Sequence, residues 1–360
     1  MGSGQKQDSP GSGPSRTVDR RRLLGGALGA GAVVAAGFAG VRWLSSPAEA
    51  EPLAVGGLAV TCNLTLPVAC AAKEAANRAS KDSKSELAFA YSKYSGWPEL
   101  KESLMSGDIQ AGYMLAPLVM DLADKKVPVK IVSIGHRSGA VIMVRTDSSY
   151  RDFRSLAGKR IAIPSRFAVD YLFLRRLLAE ENMTAEDVEV VEMAPADMPA
   201  ALYVNGVDAY CTGEPFGASA QVGGYARPLR MTRDEWPRYM CCVLTVREEL
   251  IRANRPLVQD LVNHVLSAGL WLDQQPQNRD KAVEIAASRR YFNQDPNILR
   301  FVMKEPPDRV TYGDLRMVRS EFDELMQMSV AAGTLRHPVP YAKYVDESFA
   351  RAAKPVSIVV

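Results

Sequence analysis

Histidine is scarce, with three in 360 residues. His136, His264 and His337 stand far apart and form no H-E-x-x-H pair, so no histidine-based zinc helix is encoded. G-x-S-x-G and phosphate-loop patterns are missing as well, which removes the common signatures of serine hydrolases and of nucleotide-triphosphate enzymes. Five cysteines, Cys62, Cys70, Cys211, Cys241 and Cys242, make no C-x-x-C pair and are odd in number, so neither a disulfide framework nor a zinc ribbon is indicated. Cys211 and Cys241-Cys242 lie in apolar, strand-like runs and read as small buried hydrophobes, while a Cys62–Cys70 bridge stays open. Excess charge is also lacking. Residues 1–50 hold six of the 44 Lys/Arg and three of the 41 Asp/Glu, so the remainder is formally neutral and offers no bulk electrostatic case for nucleic acid.

What is present is an ordinary globular composition, 47% apolar and 24% charged, in a chain long enough for about two domains. The first 50 residues differ from the rest. A polar Gly/Ser/Pro leader runs into Arg20-Arg21-Arg22, then into the Gly/Ala-rich apolar run 23–41, then into Ala48-Glu49-Ala50. A basic segment, a weakly apolar core and a small-x-small site make a secretory signal, and the paired arginines resemble a twin-arginine signal. The expectation is export to the periplasm with cleavage near Ala50; an uncleaved anchor is the alternative reading.

From residue 53 onward, strand-like and helix-like stretches alternate. Strands are expected at 53–60, 87–94, 110–115 and 129–135, with helices at 68–79, 99–105 and 116–123 between them. His136-Arg137-Ser138-Gly139 breaks that rhythm, a strand follows at 140–145, and a second alternation runs from 160 to 222. A return strand at 240–246 leads into a largely helical tail, in which 313–332 reads as one helix and 342–353 as another. This order predicts two α/β lobes: residues 51–145 with 240–360 as the first lobe and its tail, and 146–239 as the second. A small ligand then lies between them, beyond the carboxyl ends of strands. The stretch Ser155–Leu178 is such a unit, a short strand, a polar break and a helix whose N-terminal amides suit an anion; an ordinary ligand-free βα unit fits the same residues.

Three groups of segments carry a resemblance to the type II periplasmic solute-binding proteins of ABC importers, and within them to the nitrate/sulfonate/bicarbonate-binding family. They are Ser95-Gly96-Trp97-Pro98-Glu99-Leu100 with Tyr113-Met114-Leu115-Ala116-Pro117, then residues 155–164, and Gly206-Val207-Asp208-Ala209 with Gly213-Glu214-Pro215-Phe216. The resemblance covers most of residues 53–270. It implies an α/β fold of two lobes with a ligand cleft and a helical C-terminal extension. It further implies a monomer that is not an enzyme, uses no cofactor, offers no expected metal ligands, binds no nucleic acid, and passes a small solute to an ABC permease, while co-binding of a metal ion stays open. Alternatives are a pyrimidine or heterocycle binder, or an enzyme, of the thiamine-precursor synthase-like branch, and a ligand-sensing regulator.

The candidate ligand-binding residues follow from the same segments. Asn63 and Thr65 lie in the loop after the first strand, Trp97 offers an apolar wall, and Ala116 and Pro117 allow close backbone approach. His136, Arg166 and Arg238 are the candidate counter-charges for an oxyanion, with Ser165 beside Arg166. Phe167 and Tyr239 suit a larger organic solute, and Glu214 stands at a helix N-terminus, where a capping role competes with ligand contact.

Overall fold

The computed structural model describes residues 51–80, 87–236 and 238–360. The expected leader, with its arginine run, lies outside the described residues. Among the described residues no helix is long and apolar enough to cross a membrane.

Strand β1 (Leu53–Leu58), helix α1 (Thr65–Ala79), β2 (Phe89–Tyr94), α2 (Trp97–Ser106), β3 (Ala111–Leu115), α3 (Ala116–Asp124) and β4 (Val129–Ile134) follow in strand–helix alternation. Pro98 sits in the first turn of α2, and Gly107 ends it with a left-handed φ of 92°, a conformation that costs glycine nothing. Two short crossing strands, β5 (Arg137–Ser138) and β6 (Ala140–Arg145), carry the chain onward. The second alternation is β7 (Arg160–Ile163), α4 (Val169–Glu180), β8 (Glu189–Glu192), α5 (Met198–Tyr203), β9 (Ala209–Gly213), α6 (Phe216–Val222) and β10 (Ala226–Met231). After α7 (Thr232–Glu235), strand β11 (Cys242–Arg247) returns. The tail comprises α8 (Glu248–Ala253), α9 (Arg255–Gln274), α10 (Pro276–Ala287), α11 (Pro296–Lys304), β12 (Val310–Thr311), α12 (Arg319–Ala331), α13 (Tyr341–Tyr344) and α14 (Ser348–Arg351).

Ten of these strands form two five-stranded sheets, ordered β2-β1-β3-β11-β4 and β10-β6-β9-β7-β8, and β5 pairs with β12 in a two-stranded ribbon. In the first sheet β1 runs parallel to β2 and β3, and β11 inserts antiparallel between β3 and β4. In the second, β7 runs parallel to β8 and β9, and β6 lies antiparallel between β9 and β10. Each sheet therefore holds one antiparallel strand that belongs to a crossing. Strand β6 was expected at the end of the first lobe; its pairing with Cys211, Thr212 and Gly213 puts it in the second sheet, so the first crossing falls at residues 135–139 instead of near Arg145.

Side chains of β3 and β9 are buried on both faces, as strands covered by helices on each side must be. One contiguous apolar core draws on both sheets, from Val55 and Tyr113 of the first to Ile161 and Cys211 of the second. Close packing fixes Gly135 at the end of β4, where a Cβ atom would stand 2.4 Å from the Tyr113 ring.

Two tail expectations change. Residues 313–318 do not join the helix, because side chains claim their backbone. The Asp273 carboxylate accepts the amides of Tyr312 and Gly313 at 2.7 and 2.6 Å, and the Arg137 guanidinium donates to the carbonyls of Asp314 and Arg316 at 2.6 and 2.9 Å. The helix expected over 342–353 is split into α13 and α14, since Val345 bridges to Ile131 and the Asp346 amide donates to the Ile131 carbonyl. The tail is further bound to the second sheet by a buried ion pair, Arg309 Nε to Glu214 Oε1 at 2.6 Å, with both side chains nearly inaccessible to water.

Replacing Arg309 by methionine leaves the Glu214 charge buried and alone. The expected outcome is a loss of about 3–5 kcal/mol, with a fall of about 10 °C in melting temperature. The double variant Arg309→Met/Glu214→Gln is expected to recover at least half of that loss in thermal denaturation. Additive losses in the double variant would show that the two groups do not act as a pair.

Candidate functional site

The carboxyl ends of β1, β3, β4 and β9 meet where the two sheets face one another, and their loops touch directly. The Thr61 amide and hydroxyl both donate to the Glu214 carbonyl, at 2.7 and 3.1 Å, while the Glu214 amide donates to Gly139 at 2.8 Å. Tyr312, from the tail, donates its hydroxyl to the Thr61 carbonyl at 2.7 Å. The arrangement is closed: Thr61, Asn63, Thr65, His136, Thr212 and Glu214 are all 0% exposed.

Sulfur and polar groups concentrate in this interior. His136 uses Nδ1 toward the Ser138 carbonyl at 2.9 Å, and its Nε2 accepts the Cys242 amide at 3.2 Å. An N–H pointed at Nε2 places the ring proton on Nδ1. Asp170, from α4 of the second sheet's half, has its Oδ2 3.8 Å from Cys241 Sγ, and Cys211 Sγ lies 3.3 Å from its carbonyl. Among the described residues the buried atoms without a hydrogen-bond partner include Asn63 Nδ2, Trp97 Nε1, Asp170 Oδ1, Thr212 Oγ1 and the Tyr239 hydroxyl.

Burial makes this interior neutral. It pushes the Asp170 carboxyl up to about 7 and the His136 imidazole down to about 4. The Cys241 thiol is held well above its ordinary value by its contact with Cys242 and by burial, and burial raises Cys211. Near neutral pH the sulfurs here are thiols and the imidazole is uncharged.

The expected site residues divide into two sets. Asn63, Thr65, Ala116, His136, Glu214 and Tyr239 come together in the interior. Asn63 Oδ1 accepts the Leu58 amide at 2.8 Å, Thr65 shares a 2.7 Å hydrogen bond with Tyr113, the Ala116 amide donates to Cys241 at 3.1 Å, and the Ser138 amide donates to Tyr239 at 3.0 Å. Trp97 and Pro117 are buried at the first turns of α2 and α3. Glu214 caps α6 by accepting the Ala218 amide at 2.8 Å and is neutralised by Arg309, so it is not a free carboxylate.

Ser165, Arg166, Phe167 and Arg238 are not part of that interior. Arg166 is half-exposed, lies 3.5 Å from Glu192 and stacks on Tyr171; Phe167 is half-buried near Lys125; and the Ser165 hydroxyl accepts the Phe167 amide at 3.2 Å. Arg238 is exposed and pairs with Glu321 and Asp314. Both arginines have carboxylate partners from distant segments.

Cys62, Cys241, Cys242, Asp170 and Tyr113 share this interior and were not among the expected residues. The available signal was positional: four of the five cysteines fall just after, within or at the start of an expected strand. Cys62 and Cys70 are both free thiols, so the possible bridge does not form.

A model of the NMT1-like family matches residues 46–287. The nitrate/nitrite binding protein NrtA of Nostoc sp. is 25% identical over 248 residues, covering 62% of this chain and 55% of that protein. The chain spans about half the length, or less, of the curated relatives it matches. The ligand binding component of an ABC-type import system from Staphylococcus aureus, solved with zinc bound, superposes with a TM-score of 0.74 at 25% identity over 85% of this chain and all of that one. The periplasmic nitrate-binding protein NrtA from Synechocystis superposes with a TM-score of 0.73 at 18% identity, covering 84% and 87% of the two chains, a likeness of fold. The desulfurization enzyme DszB shares the fold at a TM-score of 0.59 and 17% identity, with 84% and 98% covered.

The Asp170 carboxyl is ordinarily ionised above about pH 4, and in the folded chain it holds its proton to about 7. Its raised value contributes stability at low pH that is lost as pH rises through 7; His136, lowered, contributes stability that is lost as pH falls from 6.5 toward 4. The titratable groups around Asp170 are Cys62, Cys211, Cys241, Cys242 and Tyr239, all uncharged in this range. Asp170→Asn is therefore expected to raise stability by on the order of 2–4 kcal/mol at pH 8 and by much less at pH 4.5. Melting curves between those pH values check this; a pH-independent effect would place the ionisation elsewhere.

Proposed function

The chain belongs to the NMT1-like family, and from that premise we propose that it is the exported solute-binding component of an ABC importer, holding a small solute between two lobes. The lobes of this reading are the two sheets with their helices, joined at residues 135–139 and 238–241. Export by way of the leader and delivery to a permease belong to the same proposal.

The observation that carries it is the set of buried, unpartnered polar atoms between the sheets. A polar group left unpaired in the interior costs about 1–3 kcal/mol, and a bound solute removes that cost. Asn63 Nδ2 is a donor, the Thr212 and Tyr239 hydroxyls donate or accept, and protonated Asp170 donates. Such a set suits a small oxygen-rich solute of the nitrate or sulfonate class, held by hydrogen bonds with no arginine fork. Nitrate is what the NrtA relatives are named for. Hinge closure couples to binding because only the closed state brings groups of both sheets to the solute.

The reading is of a binder and not a catalyst. A second reading, catalysis at Cys62, has one observation in its favour, the short separation between Cys62 and the His136 ring. Against it, the Cys62 thiol is raised despite its hydrogen bond with Cys242, because burial and nearby acidic groups outweigh that bond, and a thiol is a poor nucleophile.

Thermal shift of the purified chain against nitrate, bicarbonate, alkanesulfonates and pyrimidines tests the proposal. One class is expected to raise the melting temperature by several degrees at a concentration 100-fold above its dissociation constant. Asn63→Leu is expected to weaken that ligand about tenfold or more, while Arg166→Ala leaves its affinity within about twofold. Turnover of the stabilising compound, or no shift from any class, would sink the reading.

A further inference from the structure

Cys62, His136 and Cys242 come from three separate stretches: the turn after β1, the residue beyond Gly135 at the end of β4, and the first residue of β11. Their two sulfurs and an imidazole nitrogen all lie within 4.8 Å of one another, and all three residues are buried. We propose that this triad is a binding site for a thiophilic filled-shell cation, Zn(II) or Cu(I). The proposal goes beyond the solute-binding reading and does not rest on it.

The donor set selects the ion class. Thiolates with an imidazole hold Zn(II) and Cu(I), whereas Ca(II) and Mg(II) require cages of oxygen ligands that these residues do not provide. Bonds of about 2.0–2.3 Å around such an ion set the donors about 3.5–4 Å apart, so the triad closes on it with a contraction of about an ångström. No long-range movement of the backbone is needed.

His136 is already arranged as a ligand. Its Nδ1–H donates to the Ser138 carbonyl at 2.9 Å, an outer hydrogen bond of the kind that orients metal-binding imidazoles, and the lone pair of Nε2 is turned toward Cys242. An ion takes the place of the Cys242 amide at that lone pair. Binding releases the two thiol protons, so two thiolates, a neutral imidazole and Zn(II) sum to no net charge, which suits an interior where an isolated charge is costly. Cys241 Sγ stands 3.9 Å from Cys242 Sγ, placing a further thiol beside the triad.

The test uses the full chain, reduced and stripped of metal under anaerobic conditions. Zn(II) and Cu(I) are each titrated in competition with a chromophoric chelator, and Co(II) is added as a spectroscopic probe. Expected are one equivalent of bound ion, a thiolate-to-cobalt charge-transfer band, and X-ray absorption showing two sulfurs at about 2.3 Å and a nitrogen at about 2.0 Å. Cys62→Ser and Cys242→Ser are each expected to weaken binding about tenfold or more, and Cys70→Ser, on α1, to leave it unchanged. The absorption spectrum of the unsubstituted chain decides the matter even where a serine variant fails to fold. No bound ion, a shell of nitrogen and oxygen alone, or binding that survives loss of both Cys62 and Cys242 would overturn the proposal. Metal binding in a chain that responds to none of the solutes supports this site while the solute reading fails; a solute response in a chain that binds no metal does the reverse.

Discussion

Glu214 is the residue through which three parts of the chain hold one another. Its side chain pairs with Arg309 of the tail, its amide donates to Gly139 in the first crossing, and its carbonyl accepts from Thr61 in the loop after β1. It also caps α6. A carboxylate this deeply buried is tolerable only because each of its oxygens has a donor and one donor is a full opposite charge. The closed contact between the sheets therefore depends on a charge that the tail neutralises, which gives the helical extension a structural purpose beyond covering the sheet.

The interior that results is polar without being charged. Burial keeps thiols protonated and His136 neutral, and it shifts Asp170 to the edge of the neutral range. Arg137 and Arg309 are taken up by carboxylate partners, Glu321 and Glu214. A solute drawn into such a place is selected by the geometry of hydrogen-bond donors, and attraction between opposite charges contributes little unless a cation occupies the sulfur-rich corner.

The alternation of strands and helices was legible because short apolar runs bounded by turn residues have few other readings, and the Gly-Trp-Pro and Gly-Glu-Pro segments mark strand ends in both halves. Strand β10 was not, since Ala226–Met231 carries two arginines and a proline and reads as a loop; it forms only as an edge strand, where proline costs no ladder bond. Arg166 and Arg238 illustrate a different limit. Their exposure was decided by Glu192 and Glu321, partners that no local pattern connects to them. Cys241 and Cys242 were legible as buried but not as neighbours of Cys62, because that convergence follows from β11 inserting between β3 and β4, an order that runs of residues do not encode.

Arg137 lies in the first crossing and Arg238 just before the return strand, and Glu321 of α12 grips both, one with each carboxylate oxygen. Arg137 also binds the Arg238 carbonyl at 3.0 Å. Under the proposed closure the two sheets would part about these segments, and α12 would be a clamp on that fulcrum.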